Sequence, residues 1–251
     1  MEQKKILLVL KSDTEQNNKL VEFIHHHFFY CSVDSVFLDY PVIKSEKRIG
    51  DYFKNLITNS NSYYKSNNKY NLIQQESLSS EVFNLMIDYY DMMVTNHSDY
   101  NQIIEIISSH KSRQWAFLPT LIIPDKHVDM IGNVVFVSTQ PENTIIAFKK
   151  FCYLFPTICK EGETVLLRFM DYSKELQSSD GEKLLYEYLK TKCSRFSVHK
   201  VRGKLQSADT KAINLTKNTL FVVDKPNINL ASLIEKEGSK NGKFPSFWLS
   251  A

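Results

Sequence analysis

Glycine is scarce in this chain: seven residues in 251, at positions 50, 132, 162, 181, 203, 238 and 242. A Gly-rich loop that lets backbone amides close on a phosphate is all but excluded by that count. Cysteine is sparser still. Cys31, Cys152, Cys159 and Cys193 form no CxxC pair and stand at no zinc-finger spacing from histidine pairs, so no metal knuckle is encoded. Long apolar runs are missing too: Ile6 to Leu10 and Val134 to Val137 fall far short of the ~20 residues a membrane span needs. Met1-Glu2-Gln3-Lys4-Lys5 leads into an apolar run with no small-residue cleavage site behind it, so a cytoplasmic location is expected. What is present, 43% hydrophobic and 24% charged residues, is the composition of a folded globular chain. A length of 251 residues allows one large domain or two small ones.

Charge is uneven along the chain. Up to position 125 there are 12 basic and 15 acidic residues; after it, 19 and 13. Between 190 and 217, Lys190, Lys192, Arg195, Lys200, Arg202, Lys204, Lys211 and Lys217 meet a single acid, Asp209. With few aromatics nearby to stack on bases, this run reads as a solvated face in preference to a nucleic-acid surface. Cys152 and Cys159 lie seven positions apart on a helical pattern, two turns along one face. Reduced, mostly buried thiols are expected.

The most informative property is recurrence half a chain apart. Lys5-Ile6-Leu7-Leu8-Val9-Leu10 is an unbroken apolar run of buried-strand type, and Asn133-Val134-Val135-Phe136-Val137-Ser138 is its counterpart. Each precedes a helix-start signal. Ser12-Asp13-Thr14-Glu15 has the form of a capping box, and Thr139-Gln140-Pro141-Glu142 repeats it with proline in the first turn. Leu20, Ile24 and Phe28 share one face of the helix that follows the first; Ile145, Phe148, Cys152 and Phe155 share one face of the second. Each half closes alike, on Pro119-Thr120-Leu121-Ile122-Ile123-Pro124 and Pro245-Ser246-Phe247-Trp248-Leu249-Ser250.

Between these ends strands and helices alternate. Strands are expected at Val33–Leu38, Tyr70–Gln74 and Asp91–Thr95, with helices at Ile49–Ile57, Asp99–His110 and near Ser80–Tyr90, the last with Val82, Leu85, Met86 and Tyr89 inward. The second half has strands at Thr164–Phe169, Phe196–Val201 and Thr219–Val223, and helices at Glu182–Lys192, Ala208–Leu215 and Ile228–Lys236. Such alternation predicts parallel sheets covered on both faces and joined by right-handed crossovers. Two α/β domains follow, 1–126 and 127–251, although the pattern also fits one ten-stranded sheet.

The chain resembles, over essentially its whole length, the universal stress proteins in their tandem two-domain form. The resemblance rests on the lysine-led first strand Lys4–Val9, the Asp-led fourth strand from Asp91, and a closing strand that passes into a new first strand. It implies in each half a Rossmann-like five-stranded parallel sheet of order 3-2-1-4-5 with helices on both faces. It also implies pairing through the last strands, Leu121–Ile123 and Phe247–Leu249, as a homodimer or an intramolecular pseudo-dimer. Many members bind ATP through an Asp after the first strand and a G-x2-G-x9-G-[ST] loop after the fourth. Here Lys11 and Thr139 stand at the Asp positions. Thr95-Asn96-His97-Ser98-Asp99 contains no glycine, and Asp224-Lys225-Pro226 brings a proline that donates no backbone N–H. The expectation is therefore that neither half binds ATP in the family manner.

Candidate chemistry is thin. His25-His26-His27 point about 100° apart on a helix, so they do not converge on one metal and read as a half-exposed helix surface. His97, Ser98 and Asp99 follow a strand's C-terminal end, where α/β ligands bind, but a turn histidine beside an N-capping Asp99 explains them as well. No nucleophile elbow, zinc-protease motif or paired carboxylates accompany them. Asp34 and Asp39 read as turn caps. The expected function is a non-catalytic stress-response or regulatory binding module with no cofactor, engaging a protein partner or small ligand at the strand C-terminal crevice or the interdomain seam. The alternative is a nucleotide-binding regulator whose divergent pocket accepts AMP or ATP, with Ser12, Asp13, Asn96 and Thr139 as the candidate residues.

Overall fold

In the computed structural model the chain divides into two compact units, Met1–Val128 and Asp129–Ala251. The structure describes residues 3–11, 16–28, 30–38, 46–61, 68–73, 89–108, 118–124, 131–170, 180–202, 218–223 and 247–250.

The first unit runs β1 (Lys4–Leu10), α1 (Gln16–His27), β2 (Cys31–Phe37), α2 (Glu46–Asn61), β3 (Lys69–Leu72), β4 (Met92–Asn96), α3 (His97–Ser108) and β5 (Thr120–Ile123). Its strands are parallel in the order β3-β2-β1-β4-β5. Ile6 to Leu10 are all wholly buried, which is why β1 reads as an unbroken apolar run: it is the middle strand and has no wet face. Leu7 and Val9 pack with Val36, Met93, Leu118 and Ile103 of α3. Ile6, Leu8 and Leu10 point to the opposite face, where right-handed crossovers place α1 and α2. Asp91 locks the start of the central pairing: its carboxylate accepts the Lys5 N–H at 2.8 Å and its own N–H donates to the Lys5 carbonyl at 2.9 Å.

The second unit runs β6 (Asn133–Ser138), α4 (Pro141–Leu154), α5 (Pro156–Glu161), β7 (Glu163–Met170), α6 (Asp180–Lys192), β8 (Arg195–Arg202), β9 (Thr219–Val223) and β10 (Phe247–Ser250). The order is β8-β7-β6-β9-β10, again parallel. Both units thus have the expected 3-2-1-4-5 order. Phe136 of β6 anchors the core, edge-on to Phe148 and Phe151 of α4 at 5.1 and 5.3 Å.

Several local expectations are corrected. The helical stretch carrying Cys152 and Cys159 is two helices: Phe155 leaves the helical region (φ −125°, ψ 61°) because Pro156 behind it disfavours that conformation. Thr139 does not cap α4; Gln140 holds that position with no side-chain bond, while Pro141 opens the first turn as expected. Tyr89 is exposed and Tyr90 is the buried one, donating its phenol to Asp34 at 2.8 Å. Asp34 also accepts from Asn71 at 2.7 Å, so it ties β2 to its neighbours instead of capping a turn. His25 is not half-exposed: it is buried, 3.3 Å from the Tyr70 hydroxyl, because α1 is packed on more than one side. The basic run begins on α6 and continues through β8, a mostly exposed strand at the end of its sheet order. The expected helices at 208–215 and 228–236, the helical part of 80–90 before Tyr89, and the Ser12–Glu15 capping box lie outside the described residues. No described helix is long and apolar enough to cross a membrane.

Candidate ligand-binding edge

In the first unit the chain leaves β1 towards β2 and leaves β4 towards β5, so the C-terminal edge between β1 and β4 is the topological switch point. Three described residues build it. Lys11, exposed, follows β1 and offers its carbonyl, to which the amide of Asn17 donates at 2.6 Å. The same amide nitrogen lies 3.0 Å from the Tyr52 hydroxyl of α2. Asn96 ends β4, one strand over: with Leu8 opposite Val94, the register carries on to place Leu10 opposite Asn96.

Asn96 does the capping expected of Asp99. Its Oδ1 accepts the Asp99 backbone N–H at 2.9 Å and the Ser98 hydroxyl at 3.0 Å, so α3 starts at His97 directly off the strand. Asp99 is buried in the first turn, its carboxylate at the positive end of the helix. No loop separates β4 from α3, and that helix terminus is filled by the protein's own groups.

Asn17 and Asn96 are both buried at this edge, and among the described residues the Asn17 Oδ1 acceptor and the Asn96 Nδ2 donor have no hydrogen-bond partner. Asn17 carried no sequence signal, because a polar residue in a helix's first turn ordinarily faces water. Ser12 and Asp13 lie outside the described residues.

In the second unit an arginine covers the carbonyls at the C-terminal end of β6, the counterpart of β1. Arg168, near the end of β7, sets its Nη1 among the carbonyls of Ser138 (3.4 Å), Phe169 (3.2 Å) and Thr139. Thr144 of α4 adds a bond to the Gln140 carbonyl at 2.9 Å and lies 2.8 Å from the Ser138 hydroxyl. Thr139 is therefore held by its backbone beneath a guanidinium. Glu182 of α6 is buried nearby, accepting from the Tyr186 hydroxyl and paired with Lys200 at 3.4 Å. Burial pushes its carboxyl up, but Tyr186, Lys200 and Arg168 outweigh that and leave it below the ordinary carboxylate value.

The histidines diverge, as their spacing requires. His25 meets Tyr70 and His27 packs on Phe23, and among the described residues no group of three His, Cys, Asp or Glu is arranged to hold a metal ion.

No family model and no curated protein matches this chain. Solved structures do. A universal stress protein from Archaeoglobus fulgidus superposes with a TM-score of 0.56 at 14% identity, over 98% of this chain and 95% of that one. The cytoplasmic domain of a prokaryotic cation chloride cotransporter also gives 0.56, at 13% identity, over 99% and 96%. The class defined here is a two-unit α/β protein of universal-stress-protein-like fold. At these identities the likeness establishes the fold.

Proposed function

We propose that this chain is a non-catalytic, regulatory binding module whose first unit takes a small polar ligand at the β1–β4 edge and does not cradle a triphosphate there. The direct passage of β4 into α3 carries this reading, since Asn96 and Asp99 occupy the helix terminus that a phosphate loop would need. The leftover acceptor of Asn17 and donor of Asn96 suit a neutral partner, an amide or a nucleobase edge, and not an anion. A buried polar atom without a partner costs about 1–3 kcal/mol, which a ligand that bonds both asparagines recovers. The Arg168 arrangement supports no equivalent role for the second unit.

Calorimetric titration with adenosine, AMP, ATP–Mg and cyclic dinucleotides tests this. Any adenine compound that binds is expected to bind no more weakly without its phosphates, and Asn96→Leu is expected to abolish binding. ATP binding tenfold or more tighter than adenosine reveals a phosphate cradle and overturns the reading in favour of an ATP-dependent regulator. ATP turnover above a heat-killed control overturns the non-catalytic part.

A second reading rests on the cotransporter likeness, which extends over nearly the whole of both chains. In it the two units act as a cytoplasmic domain working with a membrane transporter. Recovery of the tagged chain in salt-washed membranes of its own cells favours that reading, and recovery only in the soluble fraction opposes it.

A further inference from the structure

Three of the four cysteines gather in the second unit, and the break between α4 and α5 brings two of them together. A continuous helix rises about 1.5 Å per residue, so it would hold Cys152 and Cys159 roughly 10 Å apart along its axis. Phe155 and Pro156 interrupt it, and the two sulfurs meet at 2.9 Å. Cys193, just past α6, completes the group through a thiol contact with Cys159, whose own S–H points to the Lys192 carbonyl at 3.7 Å. All are free thiols.

The three differ in access. Cys159 and Cys193 are buried, whereas Cys152 is half-buried. The contact with Cys152, reinforced by burial, pushes the Cys159 thiol up to about 11, and the contact with Cys159 and burial push Cys193 up as well. Cys152, the most exposed of the three, is the sulfur an oxidant meets first. A bonded pair stands roughly 2.0 Å apart, so closure asks for about 0.9 Å of approach.

We propose that Cys152 and Cys159 form a peroxide-sensitive dithiol that closes to a disulfide across the break between α4 and α5. The Cys152 thiolate attacks one oxygen of a hydroperoxide, the O–O bond breaks, and the departing alkoxide or hydroxide takes up a proton; Cys152 is then a sulfenic acid. Cys159 gives up its proton and attacks that sulfur. The S–S bond forms, the S–O bond breaks, and the released hydroxide leaves as water. Two thiols are oxidised and one peroxide is reduced, and a dithiol reductant reverses the change.

The test treats the reduced full chain with stoichiometric hydrogen peroxide, unfolds it in alkylating agent, and maps peptides without reduction. The expected product has lost two hydrogens, carries a Cys152–Cys159 cross-link, shows Cys31 and Cys193 alkylated, and returns to four thiols with dithiothreitol. Cys193→Ser is expected to give the same cross-link. Cys159→Ser is expected to accumulate a dimedone-reactive sulfenic acid at Cys152. Four surviving thiols overturn the proposal, as do a Cys159–Cys193 link, sulfinic acid at Cys152 with Cys159 still a thiol, or a Cys193→Ser protein that folds like wild type but does not close.

Discussion

Acidification should act on this protein through His27 before most other groups. The ring ends α1, packed on Phe23 with centroids 4.3 Å apart, and its Nε2 is buried with no hydrogen-bond partner among the described residues. Burial, with a smaller contribution from His26, brings its pKa down from 6.5 to about 4. Between those values the unfolded chain takes up a proton that the native state refuses, so stability rises with pH across the window. The stabilisation is fully present above pH 6.5 and is lost as pH falls towards the folded value near 4. Each pH unit inside the window is worth about 1.4 kcal/mol, and integration from pH 7 to pH 5 gives about 2 kcal/mol from this one ring. His25, also lowered by burial, acts with the same sign. Urea unfolding followed by circular dichroism at pH 7 and pH 5, on wild type and His27→Gln, isolates the term. The variant should lose about 2 kcal/mol less on acidification. Equal losses in the two proteins, or an NMR titration midpoint for His27 near 6.5, would refute the reasoning.

Three further outcomes can be checked by the same urea unfolding. Gly162→Ala should destabilise the second unit by about 1–3 kcal/mol although its φ of −73° suits any residue, because the new Cβ would stand 2.6 Å from the Ile158 carbonyl oxygen, a backbone atom of α5. Tyr90→Phe should cost about 1–2 kcal/mol by removing the phenol that donates to Asp34. Arg168→Leu should cost on the order of 2 kcal/mol, because the carbonyls it covers lose their shared donor.

The strands are the legible part of this fold, for a reason β1 makes plain. A middle strand buried on both faces appears as an uninterrupted apolar run, and Thr219–Val223 is read to the residue for the same cause. Helix ends are less legible. Asn96 and Asp99 are both good caps three positions apart, and only the strand's end decides which of them stands first in the helix. The break at Phe155 does carry a local signal, the proline behind it, which the regular apolar spacing of Ile145, Phe148 and Cys152 conceals. The candidate edge is hardest to see. Asn17 and Arg168 are polar residues in ordinary-looking helix and strand, and their roles follow from which carbonyl each happens to cover, a relation that only the folded chain supplies.

The cationic strand β8 has a bearing on how this protein behaves in a crowded solution. A foreign segment trying to extend the sheet there would have to thread past Arg195, Lys200 and Arg202 and strip water from their tips. Acetylating Lys200, the one lysine of the strand, would lift part of that deterrent and at the same time unpair the buried Glu182, so the modified molecule should be both more self-adhesive and lower in melting temperature.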